Sequence, residues 1–182
     1  YHVRDNGAVF RCKRPNKRKR PLDEKWTFGI SNKVNGYMNI SKETAHRIVA
    51  TAFHGNQPTD KHIVDHIDTN KKNNRPENLR WITRLENILL NPITTKRIIF
   101  IYGSLEKFFE NPSKPIHEIK DKNFEWMRTV SKEEALISKK KLLKWAKEGT
   151  VSRGGELGEW IFNQHKEVIK SNTVEKEYIQ SL

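Results

Sequence analysis

Along the first half of the chain the apolar positions come in short bursts separated by turn residues. "YHVRDNGAVFR" predicts two short strands around Asp5-Asn6-Gly7, where a left-handed backbone is easily adopted. "CKRPNKRKRP" has no apolar period, and Pro15 and Pro21 keep it out of helix and of central strand. "WTFGISNKVNGYMNI" reads as a second hairpin turning near Asn35-Gly36. Ser41 is the expected N-cap of a helix through "ETAHRIVATAF", with Ile48, Val49, Ala52 and Phe53 as its apolar face. After the loop "HGNQPTD", "HIVDHI" is a short strand, "DTNKKNNRPEN" a polar loop and "LRWIT" the returning strand. Thr83 and Glu86 have the spacing of a capping box, so a helix should start at Arg84 and stop before Pro92.

Beyond residue 97 the pattern changes. "RIIFIY" is a β-like run, and "SLEKFFEN" a short helix ended by Asn111-Pro112. Ser131 and Glu134 form another capping box, opening a helix through "EEALISKKKLLKWAKE" that Gly149 closes. A last helix follows Gly154-Gly155 over "LGEWIFNQHKEVIK". The pattern predicts an α+β protein: short hairpins and a helix, then strand, loop, strand and helix, then a mainly helical C-terminal part. The expected domains are residues 1–97, with the strand–loop–strand–helix motif at about 62–91, and an accessory module over 98–182.

Charge narrows the choice of partner. The net charge is +13 in 182 residues. Residues 1–97 hold 20 Lys+Arg against 9 Asp+Glu, whereas 98–182 hold 15 against 13. A polyanion should therefore meet the first half, and nucleic acid fits better than a membrane because no basic amphipathic helix stands out. No apolar run approaches 18 residues, so no membrane span is expected. The single cysteine, Cys12, excludes an intrachain disulfide and a Cys-rich zinc site, and is read as a passive residue in a reducing compartment. A start at Tyr1 rather than Met reads as a fragment.

"VDHIDTNKKNNRPENLRWITRLENILLNP", residues 64–92, concentrates the candidate chemistry. Asp65, His66, Asn78 and Asn87 are either hairpin turn residues or a set converging on a metal and a phosphate. The capping box puts Asn87 in the opening turns of its helix, where free N–H groups and the dipole favour an anion. If the hairpin packs on that helix, Asp65 and Asn87 form a hard oxygen pair suited to Mg²⁺ or Mn²⁺. A neutral His66 beside such an ion can take a proton from an attacking water near pH 7. Asn78 can bind the loop backbone and steady the histidine strand. Side chains alternate along a regular strand, so Asp65 and His66 serve one phosphate only if the strand bends or ends there.

This stretch resembles the HNH, or ββα-metal, nucleases, and within them the phage-type homing and nicking branch. That branch carries an Asp-His pair, an Asn 12 residues after the histidine and another 21 after it; here these fall on Asp65-His66, Asn78 and Asn87. "HRIVATAF" before the motif and "NLRWIT" within it are similar to the same branch. The resemblance covers residues 1–92, most strongly 46–91. It implies a metal-dependent DNA endonuclease in which His66 is the general base, Asp65 and Asn87 hold the metal and Asn78 braces the hairpin. It also implies products with 5′-phosphate and 3′-hydroxyl ends, and a cytoplasmic protein of bacterial or phage origin in homing, nicking, restriction or phage defence. The paired zinc cysteines of many members are missing, and no helix-turn-helix module is recognisable in 98–182. A DNA-binding protein that keeps the fold without activity is the alternative.

The remaining candidates follow from position. Lys13, Arg14, Lys17, Arg18, Lys19 and Arg20 in the basic loop, Lys71 and Lys72 in the motif loop, and Arg80 and Arg84 beside the presumed site are expected to contact DNA phosphates. His62 reads as a solvent-facing strand residue, His46 and His54 as structural or phosphate-facing, and Asn73 and Asn74 as turn residues. Trp26, Trp81, Trp126, Trp145 and Trp160 are read as core.

Overall fold

The structure, a computed structural model, describes residues 1–112 and 130–163. The chain divides into two compact units between Arg84 and Leu85, ahead of the boundary at 97 that the sequence suggests. The fold is α+β, with small antiparallel sheets in the first unit and helices in the second.

In the first unit β1 (His2–Val3), β2 (Val9–Phe10) and β3 (Trp26–Thr27) form one sheet, and β4 (Ile30–Ser31), β5 (Met38–Ile40) and β6 (Glu43–Thr44) another. α1 (Ala45–His54) then leads to the hairpin of β7 (His62–His66) and β8 (Leu79–Thr83). The core is small: Val9, Ile40, Ala45, Val49, Ala50 and Leu79 are buried, with Val3, Met38, Ile48, Val64 and Trp81 packed on them. Burying one large aliphatic side chain is worth about 1.5–3 kcal/mol, so a core of this size has little to spare.

Several expectations need correction here. Ser41 does not cap α1. It sits at φ +66° in the tight turn that lets Ile40 pair with Glu43, so the chain forms β6 before the helix begins at Ala45. The buried face of α1 is Ala45, His46, Val49 and Ala50, while Ala52 and Phe53 lie exposed. Trp26 and Thr27 pair with β2 rather than joining the β4–β5 hairpin, and Trp26 is exposed, with the Arg4 guanidinium 4.0 Å above its ring.

The Asp5-Asn6-Gly7 turn matters beyond its own hairpin. Asn6 Oδ1 accepts from the Ala8 amide at 3.0 Å, and Gly7 takes φ +82°. A β-carbon at Gly7 would stand 2.5 Å from the carbonyl oxygen of Asn74, so the first hairpin lies directly against the loop between β7 and β8.

The second unit has its own core of Leu85, Leu89, Ile98, Tyr102, Leu105, Phe108, Phe109, Leu142 and Ile161, among others. It comprises α2 (Arg84–Leu90), α3 (Pro92–Tyr102), α4 (Leu105–Glu110), α5 (Lys132–Lys147) and a helical stretch over 155–163. The continuation expected for that last helix, and Trp126, lie outside the described residues. Residues 97–102, read from sequence as β-like, are helical. Asn91 caps α3 by accepting from the amides of Ile93 and Thr94, Pro92 occupies the first turn, and Thr95, Ile98 and Tyr102 share the buried face. A short apolar run has no period of its own, so cap and burial decide its form. Ser131 caps α5 through the Glu134 amide at 3.1 Å, and Gly149 follows at φ +72°.

His46 is buried in the first unit, its ring 4.8 Å from Tyr37 and 5.2 Å from His66. Burial, then the charges of His66 and Arg47, lower its pKa from 6.5 to about 4. Between those values the unfolded chain binds a proton that the folded chain does not, so stability present above pH 6.5 is lost as pH falls towards 4.

In urea unfolding, stability should therefore fall below pH 6.5 by no more than about 1.4 kcal/mol per pH unit from this group, and His46→Gln should flatten that limb. An unchanged limb would remove His46 as its source. Gly7→Ala combines a strained φ with a backbone clash and should cost about 1–3 kcal/mol; an unchanged midpoint would mean the turn does not press on Asn74.

Candidate active site

The β7–β8 hairpin builds the site. Its register pairs Ile63 with Ile82, Val64 with Trp81, Asp65 with Arg80 and His66 with Leu79. Strand β7 ends at His66, where the Thr69 amide donates to the His66 carbonyl at 2.9 Å and begins a turn. The alternation that separates Asp65 from His66 in a regular strand therefore stops at the histidine itself.

The loop that follows carries little apolar surface and is closed by amides. Asn78 Oδ1 accepts from the Asp68 amide at 3.0 Å, while its Nδ2 donates to Asp68 Oδ1 at 2.9 Å and to the Asn73 carbonyl at 2.8 Å. Asn73 donates to Asp68 Oδ2 at 2.7 Å, and the Asn70 amide to Asp68 Oδ1 at 2.8 Å. Burial alone would raise the Asp68 carboxyl; the hydrogen bonds of Asn73, Asn70 and Asn78, with the charge of His66, outweigh it and hold the pKa below the ordinary carboxylate value. Asn78 is thus buried at the foot of β8 and bonded to both ends of the loop.

His66 is only 6% exposed. Its Nε2 lies 3.0 Å from Asn74 Oδ1. An amide oxygen can only accept, so Nε2 carries the hydrogen and Nδ1 keeps its lone pair for a proton from elsewhere. Tyr37 stacks at 6.0 Å and His46 meets the ring edge-on. Burial and the nearby charges of His66 and Arg47 keep His46 neutral near pH 7, so it adds no charge opposing a cationic His66.

Asp65 accepts from Arg80 Nε through Oδ2 at 2.9 Å, with its side chain 20% exposed. Its Oδ1 makes no hydrogen bond among the described residues, leaving a hard oxygen donor open. Asn87 is exposed on α2, in the second unit. Among the described residues no group of three His, Cys, Asp or Glu side chains could hold a metal. The open carboxylate oxygen of Asp65 is the kind of donor that suits an ion keeping most of its waters, as Mg²⁺ does, rather than zinc.

The expected phosphate contacts divide. Lys13, Arg14, Lys17 and Arg18 are exposed. Lys19 pairs with Glu24 at 2.7 Å, and Arg20 with Asp23 at 3.1 Å. Lys71 Nζ donates to the Asn35 carbonyl and lies 4.9 Å from the Tyr37 ring, so it closes over the stack that holds His66. Lys72 and Arg84 are exposed, and Arg80 is turned onto Asp65. His62 Nδ1 lies 2.8 Å from the Thr59 hydroxyl, and His54 Nε2 lies 2.8 Å from the Pro76 carbonyl oxygen. Since a carbonyl only accepts, His54 Nε2 is the donor in this contact.

Sequence reasoning missed Asn74, read as a turn residue but buried against His66, and gave Tyr37 no role. The usable signal was the repeated asparagine in a short basic loop, since an amide is worth burying only where it is bonded.

Residues 43–89 match the family model described as HNH endonuclease. Two curated proteins of Acanthamoeba polyphaga mimivirus, each named uncharacterized HNH endonuclease, are similar to this chain. One is 35% identical over 100 residues, 54% of this chain and 29% of its own length. The other is 40% identical over 52 residues, 28% of this chain and 13% of its own. The chain therefore spans less than a third of either relative. No solved structure matches it. No helix among the described residues is long and apolar enough to cross a membrane. The part of the chain that matches the HNH endonuclease family model, 43 to 89, carries Asp65 and His66 at the end of its first hairpin strand.

Proposed function

We propose that the chain hydrolyses phosphodiester bonds of DNA with His66 as general base. The observation that carries this reading is the histidine at the end of β7, held at Nε2 by Asn74 so that Nδ1 is left basic. A water placed at Nδ1 gives up its proton there as its oxygen attacks phosphorus, and the bond from phosphorus to the 3′ oxygen breaks. Asn74 is a positioning residue that fixes the ring and its tautomer, and Asn78 fixes the loop from which Asn74 projects. Asp65, through Oδ1, and Asn87 are the proposed ligands of Mg²⁺ or Mn²⁺. Such an ion, when bound, neutralises charge on the phosphate oxygens. Lys13, Arg14, Lys17, Arg18 and Lys72 supply exposed positive charge for the DNA backbone, with Arg84 as a further contact. The role in homing, nicking, restriction or defence belongs to the same proposal and does not alter the chemistry.

A second reading, DNA binding without cleavage, draws on the ion pair that already occupies Asp65 Oδ2. One assay separates the two: plasmid cleavage with Mg²⁺ and with EDTA. Cleavage should require the metal and fall sharply in Asp65→Ala and Asn87→Ala; full activity in chelator would overturn the metal assignment, and none in any condition would favour the second reading.

His66→Ala should lower the rate by about 10²–10⁴ with DNA binding retained. Asn74→Leu should lower kcat with little change in KM, and Asn74→Asp, which keeps an acceptor oxygen, should restore part of it. Imidazole ¹⁵N shifts should report hydrogen on Nε2 in the wild type and a mixture in Asn74→Leu. An unchanged tautomer and rate in that variant would leave Asn74 with no part in holding the base.

A further inference from the structure

A cleft of about 940 Å³ opens within the first unit, and neither Asp65 nor His66 lines it. Its polar wall is cationic. Arg11, Arg14, Arg20, Lys42 and Arg47 line it, against the single acid Glu43. These side chains come from three places that are separate in sequence: the basic loop with its leading strand, the β5–β6 turn and the outer face of α1.

Part of this charge is committed to structure and part is not. Arg11 is 4% exposed, with Nε on Asp23 Oδ1 at 2.5 Å and Nη2 on the Pro21 carbonyl at 2.7 Å. Arg20 reaches the same carboxylate. Burial alone would raise the Asp23 carboxyl, but the hydrogen bonds from Arg20 and Arg11 hold it well below the usual range, so one anion is shared between two cations. Arg11 Nη1 is buried with no acceptor. Arg47 donates to Gln57 Oε1 at 2.6 Å. Arg14 and Lys42 make no side-chain hydrogen bond or ion pair among the described residues and are exposed. The cleft therefore holds more positive charge than its own acids satisfy.

The other wall is apolar. Ile48 and Ala52, half of the apolar face that the sequence predicts for the helix, border the cleft together with Val3, Ile40 and Tyr1. A cationic rim alone would suit any anion. An apolar wall with an aromatic ring at its edge, in a space at the upper end of the range of about 300–1,000 Å³ that takes small ligands, suits a flat apolar body joined to phosphate. That is the combination by which unpaired nucleotides are held: backbone on cations, base on an apolar or aromatic platform.

We propose that this cleft binds an unpaired, phosphate-linked stretch of a nucleic-acid strand, at a site separate from the one that holds His66. The proposal deepens the nuclease reading by giving the same class of substrate a second hold on the protein, and it does not require that the strand be cut there. Arg14 and Lys42 meet the phosphates, and the Ile48–Ala52 face of α1 meets the base.

The test is fluorescence anisotropy of a labelled short oligothymidylate with the full chain, in EDTA so that cleavage cannot intervene. The unpaired strand should bind more tightly than a duplex of equal length, and inorganic phosphate should compete only weakly. Arg14→Gln with Lys42→Gln should weaken single-strand binding about tenfold or more and reduce the salt slope by roughly 0.7 for each phosphate no longer neutralised. Ala52→Trp changes an exposed position and fills the apolar wall without touching a charge. It should weaken the unpaired strand and leave the salt slope unchanged. Equal losses for single strand and duplex, or unaltered binding in Ala52→Trp with a native unfolding midpoint, would overturn the cleft as a nucleotide site. Cleavage of plasmid in Mg²⁺ is read separately: its absence in a protein that still binds the strand would count against the nuclease reading alone.

Discussion

The site rests on the closing of one polar loop by one side chain. Between the end of β7 at His66 and the start of β8 at Leu79 the chain runs through Asp68, Asn70, Lys71, Lys72, Asn73 and Asn74, none of which can hold a loop by hydrophobic burial. Asn78 does so by using both ends of its amide: the oxygen takes the Asp68 amide, and the nitrogen serves Asp68 and the Asn73 carbonyl. Each such bond adds only about 0.5–1.5 kcal/mol net, but a buried amide left unbonded costs more, so the network is set as a whole. With the loop fixed, Asn74 is presented to His66. The hairpin turn at Gly7 packs on the backbone of the same residue, too close to Asn74 to admit a β-carbon.

The hairpin was legible in the sequence because local and tertiary preferences agree there. Short apolar bursts mark β7 and β8, and turn residues crowd the loop between them. The four motif residues sit at fixed separations within that strand–loop–strand–helix order. Where local and tertiary preferences disagree, the sequence misleads. Residues 97–102 have the composition of a strand, yet the Asn91 cap and the buried row of Thr95, Ile98 and Tyr102 make a helix of them. Ser41 has the identity of a cap, but the pairing of Ile40 with Glu43 needs it in a left-handed turn. Asn74 looks like its neighbour Asn73, and only the fold distinguishes the amide that meets the imidazole from the one that meets a carboxylate.

Helix α1 shows how a small core is made to serve two surfaces. Ala45, His46, Val49 and Ala50 are buried, and through His46 that face borders His66. Ile48 and Ala52, on the flank of that face, border the cationic cleft. An amphipathic helix normally spends its apolar residues on one core. Here the apolar arc is wider than the core it covers, which is why its centre was misjudged from sequence.

Charge is distributed in the way that the general base proposed for His66 would require. An imidazole that accepts a proton becomes a cation, and cations close by would oppose it. The groups bonded or stacked about His66 are instead an amide, an aromatic ring and a neutral histidine, with the Asp68 carboxylate near enough for its own titration to feel the histidine. Basic residues gather in the Lys13–Arg20 loop and the cleft, where a polyanion can meet them. Of those nearer the site, Arg80 is held on Asp65 and Lys71 on the Asn35 carbonyl. A scaffold made of asparagines can therefore fix the position of the imidazole without adding a charge beside it. A scaffold of lysines would have gripped a phosphate equally well and set cations against the ring.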